Sequence, residues 1–155
     1  MNTAGQNVAN ERKLFNPHAY FRAINNLFIY GIFADYVLPN VGPIPYRGCE
    51  DMTSVVLTRN MSDQEIIDEI LGGMDQARAS AVTLDQIAVK IHLQPHGKDG
   101  DLSNGSCNNI FFVLVGEVLL SVRLGWSSEY RRWSVGAFPL GGGGQLACWL
   151  SGLSQ

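Results

Sequence analysis

The sequence predicts an α+β fold, with an N-terminal helix and a second helix packed on an antiparallel β-meander of about four to five strands. Three observations carry that prediction. Residues 109–115 and 118–124 are apolar runs joined by Gly116-Glu117, a two-residue connection with glycine first that suits a hairpin. Ser62 with Glu65 three residues later is a capping box, which starts a helix by satisfying free backbone donors. Asn16-Pro17 starts another, with an N-cap asparagine ahead of a proline at the first helical position.

In chain order, residues 1–13 are polar, lack periodicity and are expected to be a mobile arm. Tyr20, Phe21, Ile24, Leu27 and Phe28 then recur at the spacing of a buried helical face. Gly31 interrupts, and residues 32–38 are expected to add a turn or two before Pro39 stops them. Pro39, Gly42, Pro43 and Pro45 make 39–45 a stiff, extended connector. The β-branched stretch 53–58 is a first strand. The capped helix places Asp63 in its first turn, where the helix dipole favours negative charge. Ile66, Ile70, Met74, Ala77 and Ala81 trace one face of it as far as residue 81. Gly72-Gly73 in its middle costs about 1 kcal/mol per glycine and marks a bend or a close approach.

From residue 86 the pattern alternates, with Ile87, Val89, Ile91 and Leu93 on one side and Ala88, Lys90 and His92 on the other. That predicts a half-buried strand. Residues 95–108 form a long polar loop, a length that in compact domains often carries function. Residues 109–115 are apolar on both faces and should be a central strand covered on both sides. In 118–124, Val118, Leu120, Val122 and Leu124 point inward, and Ser121 and Arg123 outward. Residues 125–128 make the next turn. In 129–135, Arg131, Trp133 and Val135 share one side, and Tyr130, Arg132 and Ser134 the other. Gly141 to Gly144 is a flexible joint leading to an apolar stretch, 146–150. The organisation is therefore an arm over 1–13, one domain over 14–140 and a glycine-tethered tail over 141–155. The tail is expected to add a short edge strand to its own sheet, with docking on a neighbouring subunit as the alternative.

Charged residues are 16% of the chain, below the roughly 25% usual for globular domains. Scarce charge favours a body that covers part of its surface with a partner. A net charge of −3 argues against a dedicated nucleic-acid binder, which normally carries a basic face. Cys49, Cys107 and Cys148 are far apart and form no C-x-x-C pair, the pattern of reduced thiols in a reducing compartment. The N-terminus lacks a basic region followed by an apolar one. Glu117 and Arg123 break the longest apolar run well short of a bilayer span. These features predict a soluble cytoplasmic protein with no membrane partner.

Four constellations carry candidate chemistry. His92, His96, Asp99 and Asp101 are the weak metal candidates; histidines four apart ligate zinc when a helix aligns them, but a strand over 86–93 would not. The run from Asp99 to Gly105 fails as a calcium loop, because its glycine sits at the seventh position and Ile110 at the twelfth. Cys107 with upstream histidines could form a thiol–imidazole pair, though no nucleophile signature surrounds it. Arg123, Trp126, Tyr130, Arg131, Arg132 and Trp133 are the one basic and aromatic concentration, with Trp149 added by the tail. Arginines and aromatics of this kind are enriched at protein-binding hot spots. No motif implies a cofactor.

The leading expectation is a non-catalytic module that binds or assembles with a protein, a second copy of itself included, through Arg123, Trp126, Tyr130, Arg131, Trp133 and Trp149. The alternative is a small metal- or thiol-dependent enzyme or ligand-binding protein that uses residues 92–107. Single-stranded nucleic-acid binding through Arg131 and Trp133 is the weaker third reading.

Overall fold

The structure is a computed structural model that describes residues 13–141 and 147–154, the latter by their backbone. The expected arm up to residue 12, Gly142 to Gly144 of the joint and the side chain of Trp149 lie outside the described residues. The fold is α+β, and its centre is a six-stranded mixed sheet in the order β2-β7-β6-β5-β8-β4. Its members are β2 (Leu27–Ile29), β4 (Met52–Met61), β5 (Asn109–Val115), β6 (Val118–Ser127), β7 (Arg132–Pro139) and β8 (Ala147–Ser154). β1 (Leu14–Phe15) and β3 (Ile44–Pro45) form a separate antiparallel pair.

The expected meander is present: β5, β6 and β7 are consecutive and antiparallel, and Val115 pairs with Val118 across the Gly116-Glu117 turn. Gly116 adopts φ 61°, the left-handed region that a glycine occupies without strain. The strand pairing runs further than the sequence suggests. β6 continues through Ser127, which pairs with Arg132, so the turn falls after residues 125–127. Two parallel pairings, β2 with β7 and β5 with β8, make the sheet mixed. The C-terminal segment is an interior strand of its own sheet, running between β5 and β4.

Both faces of the sheet are covered, as the two-sided apolar pattern of β5 requires. Phe111, Val113, Val122, Leu124 and Val135 pack under α1 (Pro17–Ala23), a π-helical turn (Phe33–Val37) that runs into α2 (Leu38–Asn40), and α5 (Leu84–Leu93). Ile110, Phe112 and Leu119 pack under α3 (Asp63–Glu65) with its π-helical continuation (Ile66–Ile70), and α4 (Met74–Ala79).

Both sequence-predicted helix starts are correct. Asn16 accepts from the Ala19 amide at 3.1 Å, and Ser62 and Glu65 form the reciprocal capping box. The helix from residue 62 is shorter than its pattern implies. Gly72 and Gly73, at φ 84° and 111°, break it in two, leaving Ile70 and Met74 partly exposed while Ile67 and Leu71 take the core positions. Leu27 and Phe28 do not extend α1; the chain turns at Asn26 and they enter β2.

The largest correction is residues 86–93, which are helix and not strand. Leu84, Ile87, Ala88 and Ile91 bury one face at helical spacing, while Leu93 is 58% exposed. The Thr83 amide donates to the Gln86 side chain at 3.0 Å, a cap written in the sequence as Thr-x-x-Gln. Cys49 is a free thiol, whereas Cys107 is disulfide-bonded, which overturns the reading of three reduced thiols. No helix among the described residues is long and apolar enough to cross a membrane.

Candidate functional site

α5 is the wall on which a groove is built, and three polar residues in its first turn fix what lies opposite. The buried Asp85 carboxylate accepts from the Arg47 and Gly48 amides at 2.7 and 3.0 Å, and from the Thr83 hydroxyl. The Gln86 side chain donates to the Gly48 carbonyl at 2.9 Å. These bonds hold the 46–48 loop against the helix and thereby place Tyr46. The Tyr46 amide in turn donates to the Lys13 carbonyl at 2.9 Å, which draws Lys13 alongside.

Between this loop, β1, α1 and α5 lies a hollow of about 670 Å3, lined by Leu14, Phe15, Ala19, Tyr20, Tyr46, Val89 and His92, with Lys13 at its margin. Phe15 and Tyr20 pack ring to ring at 5.1 Å, and Phe21 meets Tyr20 and Phe33 edge-on, so this wall is anchored in the core. Burial pushes the Tyr20 phenol above its ordinary pKa, and the neighbouring Tyr46 adds to the effect. Tyr20 is therefore a neutral O–H donor at physiological pH.

A second hollow of about 410 Å3 shares Tyr20 and His92 with the first and is lined further by Asn25, Asn26, His96, Trp126 and Trp133. Its aromatic base is fixed from below. Trp126 and Trp133 meet at 5.3 Å, and the Trp133 indole donates to the Gln94 carbonyl at 2.9 Å. The buried Gln94 side chain bonds Lys98 and Leu102, which folds the start of the polar loop back on the helix end. Gly97, at φ 68°, lies directly on Trp126: a Cβ there would sit 2.2 Å from the ring carbon Cε2. Among the described residues, Asn26, His96 and Arg131 are the non-glycine positions with positive φ, and the first two line this hollow. Backbone held in this region costs of order 1 kcal/mol and collects at functional sites.

The structure brings together His92, His96, Trp126 and Trp133 and disperses the other expected residues. Arg123, expected to point outward, is buried under the other layer of the sheet. There it contacts Asp63 at 3.4 Å and lies over the Phe138 ring, while Ser121 donates to Asp63 at 3.1 Å. Burial raises the Asp63 pKa, and Arg123 and Ser121 pull it partly back. Tyr130 is exposed in the turn after β6, with the Arg132 guanidinium between its ring and that of Phe28. Arg131 is exposed in the same turn. Lys90 is buried and pairs with Asp101 at 2.9 Å, and Asp99 accepts from Asn104. No group of three or more His, Cys, Asp or Glu residues among the described ones could hold a metal. The disulfide at Cys107 leaves no thiol for a thiol–imidazole pair.

Sequence reasoning missed Lys13, Tyr20, Tyr46, Asn25 and Asn26 as site residues. The Asn25-Asn26 pair is a turn signal that could have ended α1 early. Nothing local marks Tyr46, which long-range bonds to α5 put in place. No family model matches the chain, and neither does any curated protein or solved structure.

Proposed function

We propose that the protein is a non-catalytic binding protein whose groove between α1 and α5 takes a small organic molecule with both apolar and hydrogen-bonding parts. The observation that carries this reading is the pair of hollows that share Tyr20 and His92 as lining residues. Each falls within the range of about 300–1,000 Å3 typical of ligand sites, one lined chiefly by apolar groups and the other by imidazoles, amides and two tryptophans. The described lining includes no Ser, Thr, Cys, Asp or Glu, so binding is better supported than nucleophilic or paired-carboxylate catalysis. The disulfide at Cys107 favours an oxidising compartment over the cytoplasm that the cysteine pattern suggests.

Ala19 lines the first hollow from an exposed position on α1, so Ala19→Trp fills the groove without entering the core. Titration with 8-anilinonaphthalene-1-sulfonate is expected to show saturable one-to-one fluorescence enhancement in the wild type. Ala19→Trp should abolish it at an unchanged melting temperature. Unsaturable enhancement, or enhancement that ignores the substitution, would discard the reading.

A second reading, a module that pairs with another protein or with its own copy, is favoured by β4. This ten-residue strand forms one edge of the sheet and exposes 59% of Val56. Its one charged residue, Arg59, is engaged by Glu65 and Glu69 at 3.0 and 2.9 Å. Long edge strands without charge invite strand addition. Light scattering on the full chain should then show a dimer that Val56→Lys converts to monomer; a monomeric wild type removes the self-pairing form.

A further inference from the structure

We propose that the groove selects organic anions, with an apolar or aromatic body in the first hollow and its carboxylate met by Lys13. This rests on the groove being a ligand site and names the chemistry of what enters it. The charge of the lining is one-signed. Among the described residues, Lys13, His92 and His96 are its titratable nitrogen groups, and neither hollow is lined by an Asp or a Glu. That asymmetry runs against the chain as a whole, in which 14 acidic residues outnumber 11 basic ones.

Two acids of the neighbouring segments are turned to other work. Asp85, at the start of α5, is consumed by the Arg47 and Gly48 amides and the Thr83 hydroxyl, and Asp101 in the loop is paired with Lys90. Lys13, by contrast, is exposed at the groove margin, and the Tyr46 amide on its carbonyl holds its backbone in place. The rings of Phe15, Tyr20 and Tyr46 supply a surface for a flat apolar body beside it. A cationic ligand would meet the like charge of Lys13 at that end, and a neutral one would gain less from it than a carboxylate.

The test uses the full chain and three probes that share one ring system: naphthalene-2-carboxylate, naphthalene-2-carboxamide and naphthalen-2-ylmethylammonium. Isothermal titration calorimetry is expected to rank the carboxylate about tenfold tighter than the amide, with the ammonium weakest, and the preference should shrink as salt is raised. Lys13→Gln should cut carboxylate affinity by about tenfold and leave the amide unchanged. Equal or tighter binding of the amide or the ammonium overturns the anion preference while sparing the binding function. An equal loss of both affinities in Lys13→Gln also overturns it. Binding of none of the three overturns this inference and the proposed function together.

Discussion

The two faces of the sheet are filled by different means. Under α3 and α4, Ile66 and Ile67 close over Leu57 and Phe112 of the strands, and Ser121 and Arg123, trapped there, both engage the Asp63 carboxylate. Under α1 and α5, the core stops short of the ends of the helices, and Tyr20, His92 and Trp126 finish at a hollow. Both faces hold residues that the sequence marks as chemically interesting. Arg123 looks like a binding residue and is sealed inside; His92 looks like a strand-exit residue and lines two hollows. Residue type therefore says little about which polar group is available for binding. What decides it is whether the opposing layer covers the group.

The closed face is broken most severely at its charge pair. Replacing Asp63 by alanine removes the carboxylate that faces the buried Arg123 guanidinium, and removing one member of such a pair is strongly destabilising. Urea unfolding of Asp63→Ala should show a loss of about 3 kcal/mol, with groove affinity for naphthalene-2-carboxylate unchanged in the protein that remains folded. A loss of affinity equal to that of the groove variants would mean that the two faces act as one unit, which the separation of their clusters argues against.

Much of the scaffold was legible because its signals are local. Asn16-Pro17, the Ser62/Glu65 box, the Gly116-Glu117 turn and the two-faced apolar pattern of 109–115 each need only a few neighbouring residues to act. Residues 86–93 misled because both templates fit. Ile87, Val89, Ile91 and Leu93 alternate, while Leu84, Ile87, Ala88 and Ile91 repeat at helical spacing. The burial of Asp85, Gln86 and Lys90, which decides for the helix, depends on partners at Arg47, Gly48 and Asp101. The site was only half legible for the same reason. His92, His96, Trp126 and Trp133 stand out by type, but Lys13, Tyr20, Asn26 and Tyr46 are brought to them by the tertiary fold, and no spacing along the chain encodes that.

The open face is tested at Gly97, where a smaller loss of stability should bring a larger loss of function. A side chain at φ 68° costs of order 1 kcal/mol in backbone strain, and the added methyl must displace the Trp126 ring, whose Cε2 lies 2.2 Å from where the Cβ would be. That ring is wedged against Trp133, which the Gln94 carbonyl anchors, so it moves toward the hollow and not deeper into the core. Gly97→Ala is expected to lose about 2 kcal/mol in urea unfolding, less than Asp63→Ala, yet to weaken groove binding about tenfold. Trp126→Ala in the same background discriminates between strain and obstruction. If binding returns when the ring is removed, the displaced indole was blocking the hollow. If it does not, Trp126 is itself part of the surface on which the ligand rests.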